Sequence, residues 1–534
     1  ARPHTDFRSQ HHGVEGLVRD NPEPAVEINV DDARDRGIET GDLVEVSTPR
    51  GAVPFRARVT TDIVQGSIEC NMGGGTAVGP EAWREWNVNE LTDLGNYDDV
   101  SGFPVYKALL ADVRKIENAT ETARRHARRQ AGPCDPTPLT IQDPVPEPRR
   151  RVYLDNNATT ELDDAVRGAM EPFLATRHGN PSAIHGVGRE AREGIETARR
   201  QVAKLINARP RTIVFTGGGS EADNHAVKGV AFARRDRGNH IITTTVEHPA
   251  ILAATAFLER LGYRVTYLDV DEYGVVSPAS LRSTLTDETI LVSVMMANNE
   301  VGTIQPIREL CAITHEGDAY FHCDAVQAAG KVRVDVEELG VDLLTLSAHK
   351  FHGPKGVGAL YVRPGIELES LVHGGKQEHG RRAGTENVAA IVGMGKAAEL
   401  AAVKVSNGSD LGVLRDKLEA GIRELVPGAR LNGHPKDRLP NTLNMTLPDL
   451  RGESLVVSLD QRGIALSSGS ACKAGSPDPT HVLLAMGRSD EDAHCSVRFS
   501  LSHATTGEDI DDALAALAQV LEEMETTVRF LPCK

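Results

Sequence analysis

The chain has 534 residues, 40% hydrophobic and 25% charged, ordinary values for a folded globular protein of several domains. These proportions exclude a disordered or collagen-like chain, and no uncharged apolar run reaches the ~18 residues that cross a bilayer. A formal charge of −17, from 59 Lys plus Arg against 76 Asp plus Glu, repels phosphate backbones and argues against nucleic acid as a partner.

Seven cysteines, scattered from Cys70 to Cys533, form no CxxC pair and no Cys/His cluster of zinc spacing. That usage fits a reducing cytoplasm, and no metal site is expected. The opening residues ARPHTDFRSQHHG lack the apolar core of a secretory signal. The chain begins on Ala1 rather than Met, as a processed chain or the tail of a longer one would.

In chain order, residues 1–118 read as β-rich. AVEINVDDARDRGIETGDLVEV gives strand, short helix, glycine turn and strand. Leu43 to Ser47 and Val53 to Val59 alternate around Thr48-Pro-Arg-Gly51, a hairpin signal. Residues 119–150 begin with the basic helical stretch ATETARRHARRQ. They continue into a run with six prolines between Pro133 and Pro148, which predicts an extended, semi-rigid linker.

From residue 151 the rhythm changes. TIVF, HIITTT, RVTYL, ILVSVMM, AYFHC, LLTL and GALYV are short β-rich runs, most of them separated by helical patterns such as GREAREGIETARRQVAKLI. That alternation predicts a mostly parallel sheet covered by helices over 151–404. Residues 405–534 read as a smaller α+β domain ending in the amphipathic helix GEDIDDALAALAQVLEEM, with residues near 151–165 expected to pack against it.

Chemistry concentrates in this second part. SAHKFHGPKG places Lys350 just past a buried-looking strand, and a partly desolvated lysine can form a Schiff base. A lone lysine in a turn is more often a surface residue, so the neighbours decide. Phe215-Thr-Gly-Gly-Gly-Ser-Glu221 is a strand, a glycine turn and a helix start, suited to a phosphate. Asp324, in HCDAVQ, could hold a protonated pyridine nitrogen or simply serve as a helix N-cap. His248 could stack on a ring or serve as a cap.

Together these segments resemble the cysteine desulfurases of the NifS/IscS type, fold-type-I pyridoxal-phosphate enzymes. Carrying pieces include YLDNNATT, HGNPSAIHGVGR, FTGGGSEADN, NNEVGTIQP, HCDAVQAAGK, SAHKFHGPKGVGALYV, RRAGTENV, SSGSAC and SVRFSLSHATT, spread over nearly all of 151–527. The resemblance implies that Lys350 bonds pyridoxal phosphate, Asp324 pairs with its pyridine nitrogen and Gln327 bonds its phenolic oxygen. His248 would stack on the ring and act in catalysis, with Asn299 beside it. Gly219, Ser220, Ser347 and His349 would hold the phosphate, which Thr385 would reach from the other subunit of a homodimer. Arg498, with Asn156 or Asn157, would bind the carboxylate of L-cysteine.

Cys472 decides the expected activity. It stands in Ser467-Ser-Gly-Ser-Ala-Cys-Lys-Ala-Gly-Ser-Pro-Asp-Pro, which reads as a mobile loop with Lys473 favouring the thiolate. The resemblance implies a persulfide on Cys472, release of L-alanine, and delivery of sulfur to an acceptor protein. That acceptor would be an iron–sulfur scaffold or a formate-dehydrogenase accessory sulfurtransferase. Lys473, Pro477 and Asp478 depart from frequent choices in the loop and leave acceptor preference open. Selenocysteine lyase, another fold-type-I lyase or aminotransferase, and a molybdenum-cofactor delivery scaffold are the competing readings.

Residues 11–115 resemble the C-terminal molybdopterin-dinucleotide-binding domain of formate dehydrogenases, through residues 24–60 and 87–116. That resemblance implies a double-psi β-barrel able to hold molybdopterin guanine dinucleotide, with His11, His12, Asn89, Thr92 and Lys107 as contacts. A barrel that has lost its ligand is the alternative.

Overall fold

The computed structural model describes residues 25–47, 52–60, 68–70, 112–115, 150–408, 410–468 and 479–529. The chain divides into two compact units, Ala1–Gln142 and Asp143–Lys534. The basic stretch, the proline-rich stretch, the Cys472 loop, and His11, His12, Asn89, Thr92 and Lys107 lie outside the described residues.

In the first unit, β1 (Ala25–Asn29), β2 (Leu43–Ser47), β3 (Ala52–Thr60), β4 (Ile68–Cys70) and β5 (Asp112–Lys115) form one sheet in the order β4-β1-β3-β2-β5. Asn29 caps the following helix, Val30–Asp35, by accepting from the Asp31 N–H at 2.9 Å. The expected hairpin is present as the antiparallel pair β2–β3. Its alternation buries Val44 and Val46 against Val26, Ile28 and Phe55. Pro54 is tolerated inside β3 because the β1 pairing starts only at Arg56, so its missing N–H interrupts no bond on that side. Among the described residues the strands have an open order rather than the closed barrel that the resemblance implies.

The second unit is built on a seven-stranded sheet. Its strands are β7 (Ile213–Thr216), β8 (His240–Thr244), β9 (Arg264–Leu268), β10 (Thr289–Ser293), β11 (Tyr320–Asp324), β12 (Leu343–Ser347) and β13 (Gly358–Val362). They lie in the order β7-β13-β12-β11-β10-β8-β9, and β13 alone runs against the rest. All seven β-rich runs of the sequence are therefore strands. Five of them are buried along their whole length, as a sheet covered on both faces requires. Helices Gly186–Leu205 and Val388–Asn407 close one face around Phe215, Phe321 and Leu344. Helices Gly219–Ala233 and Pro249–Arg260 close the other around Val214, Ile241 and Leu360.

A smaller sheet of β14 (Arg430–Asn432), β15 (Thr442–Thr446), β18 (Ser496–Ser500) and β17 (Ser467–Ser468) follows, in that order. Helices Leu411–Leu425, Gly452–Asp460 and Gly507–Arg529 accompany it. β6 (Val152–Tyr153) pairs in parallel with β16 (Ile464–Ala465), and Val152 and Leu154 are buried in this domain's core. The start of the second unit thus belongs to the small domain, and the chain then crosses to the large one past Asn156 and Asn157.

Candidate active site

In an open parallel sheet the ligand site lies beyond the carboxyl ends of the strands. Here the turns after β7, β8, β10, β11 and β12 converge there on a cavity of about 290 Å³. At one end β7 leads into Gly217, Gly218 and Gly219, and the helix Gly219–Ala233 begins. Gly218 has φ +152°, and a Cβ on Gly219 would stand 3.1 Å from Val326 Cγ2 and 3.3 Å from the Ser347 Cβ. A side chain at Gly219 would crowd this cradle. With Ser220, Ser347 and His349 on its walls, the helix start is built for a phosphate. Glu221 fixes the turn from outside, accepting the Gly217 N–H at 2.9 Å and pairing with Arg382 at 2.9 Å.

The middle of the cavity is acidic below and neutral above. Asp324, the last residue of β11, accepts the Val326 N–H at 2.9 Å, capping a turn rather than the helix expected there. It also lines the cavity beside Asp223. Burial raises the pKa of both carboxyls. A cationic ring nitrogen placed there would offset that cost. His248 lines the cavity and caps the helix Pro249–Arg260 through Nδ1, which accepts the Ala250 N–H at 3.1 Å. Desolvation, with the charges of Lys350 and His481, lowers its pKa to about 4. Because Nδ1 accepts, the ring is neutral and its proton sits on Nε2.

Lys350 follows β12. Its Nζ donates to the carbonyls of Asn157 at 2.5 Å and Ala158 at 2.8 Å. Gln327 Nε2 donates to the same Asn157 carbonyl at 2.9 Å, which leaves its second hydrogen for the cavity. Arg498, in β18, is 2% exposed. One fork nitrogen meets Asp155 at 2.6 Å and the other the Asn299 carbonyl at 3.1 Å, while Nε has no acceptor. A buried unpaired donor costs ~1–3 kcal/mol unless a ligand takes it. A substrate carboxylate would do so.

The structure therefore gathers Gly219, Ser220, His248, Asn299, Asp324, Gln327, Ser347, His349, Lys350, Asn157 and Arg498 around one cavity. It leaves out Asn156 and Thr385. Both Nδ2 hydrogens of Asn157 are taken, by the Asn299 carbonyl and Thr442 Oγ1. Those of Asn156 go to the carbonyls of Tyr153 and Ser500. In this arrangement neither side-chain amide has a hydrogen left over. Thr385 is exposed and lines no part of the cavity within one chain.

Four residues of the site were missed from the sequence. Asp223 faces the cavity from the phosphate helix. Asp155 neutralises Arg498. Glu247, beside His248, is raised to about 8 by burial, with Asp324 adding to the shift. Lys331 backs Gln327. Each lies inside a quoted motif or one residue from a named position, yet its role needs a partner distant in sequence.

Residues 152–513 match the family Aminotransferase class-V, and the chain belongs to that family. Residues 1–110 match the Molydopterin dinucleotide binding domain. Among curated relatives, "Cysteine desulfurase IscS" of Dictyoglomus turgidum is 50% identical over 379 residues, 71% of this chain and 96% of the relative. The protein of the same name from Methanosarcina thermophila is 48% identical over 384 residues, 72% of this chain and 95% of that one. Among solved structures, a NifS-like protein is 40% identical with a TM-score of 0.66, covering 70% of this chain and 100% of its own. "SspA in complex with cysteine" is 36% identical with a TM-score of 0.61, covering 67% of this chain and 100% of its own. Helix-covered sheet, small domain and neighbours together define a mixed α/β fold with fold-type-I neighbours.

The residues present fit pyridoxal phosphate. The open glycine cradle suits its phosphate, the raised carboxyl of Asp324 its ring nitrogen, the Gln327 amide its phenolic oxygen and the Lys350 amine its aldehyde.

Proposed function

We propose that this chain is a pyridoxal-phosphate-dependent L-cysteine desulfurase. One observation carries the reading: Lys350, Asp324, His248 and the unpaired Nε of Arg498 converge on a single cavity beside a glycine cradle. The relatives named cysteine desulfurase support it.

When bound, the cofactor supplies a sink for the electron pair left at the substrate Cα. Arg498 holds the substrate carboxylate through Nε, its geometry fixed by Asp155 and Asn299. Lys350 takes the Cα proton on Nζ and returns it on the other side of the transfer. Asp324 would hold the protonated ring nitrogen, and neutral His248 would offer Nε2–H as a donor beside the ring. The Cys472 thiolate then attacks the substrate sulfur. The S–S bond forms as the Cβ–S bond breaks, its electron pair passes to Cβ, and protonation there yields L-alanine. Cys472 keeps the sulfur as a persulfide until an acceptor thiolate removes it. Sulfur moves without an external oxidant.

Thr385, exposed on a loop held by Arg382 to the phosphate helix, supports a homodimer in which it completes the partner's phosphate site. Cys311, Cys323 and Cys495 are buried free thiols, which supports a reducing cytoplasmic setting. No helix among the described residues is long and apolar enough to cross a membrane.

The match of residues 1–110 carries a second reading, for the first unit. It is a β-sheet module that docks a molybdopterin dinucleotide, or the enzyme holding one, and directs sulfur toward molybdenum-cofactor sulfuration. Iron–sulfur assembly is the alternative destination.

The test is alanine and sulfide release from L-cysteine with a thiol reductant, dependent on added pyridoxal phosphate and lost in Lys350→Ala. Unchanged release by Lys350→Ala would overturn the reading. Binding of molybdopterin guanine dinucleotide by the full chain, absent from residues 143–534, tests the second.

A further inference from the structure

Lys331 is a half-buried lysine with no assigned task. Its Nζ donates to Gln327 Oε1 at 2.6 Å and to Asn157 Oδ1 at 3.1 Å. It lines a separate cavity of about 610 Å³, while Gln327 and Asn157 line the cofactor cavity. Lys331 therefore stands in the wall between the two, behind the residues that face the ring.

Its placement is costly. Desolvation pushes its pKa well below the ordinary lysine value, and the charges of Lys350 and Arg498 push the same way. An apolar side chain would fill the position without that penalty. Two acceptors offset it, both oxygens of side-chain amides; Asn157 Oδ1 also accepts from Asn441 Nδ2 at 3.1 Å, so Gln327 is the amide that could otherwise flip. An ammonium only donates, so it permits the orientation with oxygen toward it. For Gln327 that turns Nε2 to the Asn157 carbonyl at 2.9 Å, with the other hydrogen left for the cavity. Asn157 Nδ2 meets Asn299 and Thr442, bracing the loop whose carbonyl also holds Lys350.

We infer that Lys331 is a positioning residue that locks the Gln327 amide so that its N–H, backed by a nearby positive charge, faces the cofactor's phenolic oxygen. This rests on the cavity being the pyridoxal-phosphate site. A donor and a cation at that oxygen stabilise its anionic form, which eases loss of the proton from the neighbouring lysine–cofactor nitrogen. Removing Lys331 should therefore raise the pH midpoint of the cofactor absorption.

The experiment compares wild type, Lys331→Met, Gln327→Leu and the double variant, as full-length protein loaded with pyridoxal phosphate. Lys331→Met is expected to raise the midpoint by about one pH unit, the scale of one nearby charge on a buried group. Affinity of the apoprotein for pyridoxal phosphate should fall about tenfold, a loss of one hydrogen-bond's worth. In the Gln327→Leu background the Lys331→Met shift should largely vanish, because the two residues act as one unit. An unchanged midpoint in Lys331→Met overturns the inference, whether or not thermal stability falls. So does a shift that persists in full without Gln327. Failure of the cofactor reading itself looks different: wild type would gain no visible absorption with pyridoxal phosphate.

Discussion

The Lys350 ammonium lies 2.5 Å from the backbone carbonyl of Asn157, a residue of the segment that crosses between the two domains. That oxygen also accepts Gln327 Nε2. The Lys350 amine, the Gln327 amide and the interdomain crossing are thereby tied to one atom.

Arg498 joins the domains at the substrate end. Arg498→Lys keeps the charge but loses the fork that meets Asp155 and Asn299, and with it the aimed Nε. The expected outcome is a rise in KM for L-cysteine of about ten- to a hundredfold, with a smaller fall in kcat, read by steady-state alanine release. An unchanged KM would place the substrate carboxylate elsewhere.

Arg199 and Glu378 form a buried bidentate pair, both nitrogen–oxygen distances 2.8 Å, and Glu378 also accepts the Phe215 N–H at 2.8 Å. The pair pins the loop that carries Thr385 to β7, the strand that opens the phosphate cradle. Glu378 sits at φ +45°, a conformation this anchor maintains. Glu378→Gln leaves Arg199 with only the half-exposed Glu196, 3.1 Å away, as its acid, and should cost about 3 kcal/mol in denaturant unfolding. A loss below 1 kcal/mol would show that the anchor lies elsewhere.

Glu247 gives a pH signature. Its folded-state pKa is about 8, raised from the ordinary 4.5 by burial. The folded protein thus holds this proton more tightly than the unfolded chain. The stability it contributes is full below about pH 4.5 and lost as pH rises through about 8. Glu247→Gln has no proton to lose. Its Tm relative to wild type should therefore rise between about pH 5 and pH 9, measured on both proteins in the same buffers. Parallel curves would mean that Glu247 titrates normally.

The sheet was legible because its strands are short runs buried on both faces, with little polar residue to blur them. The site was legible because its residues sit at strand ends inside short local motifs. The bonding of Asn156 and Asn157 was not. Asn157 meets Thr442 and Asn156 meets Ser500, partners far along the chain that no local pattern contains. The same distance hid the Arg199–Glu378 pair and the bond from Arg498 to Asp155. His248 shows the converse: the cap is present through Nδ1, and the same residue lines the cavity. In the first unit strand pattern and hairpin were readable, whereas barrel closure depends on residues 61–111, mostly outside the described ones.

The most direct test of the central claim is intact and peptide mass spectrometry after brief exposure to L-cysteine without reductant. The account predicts one added sulfur atom on Cys472, reversible by thiol, with stoichiometric L-alanine, and neither product in Cys472→Ser. Multiple-turnover sulfide and alanine from Cys472→Ser, with no sulfur added to Cys472 in wild type, would contradict it and point to elimination without a persulfide.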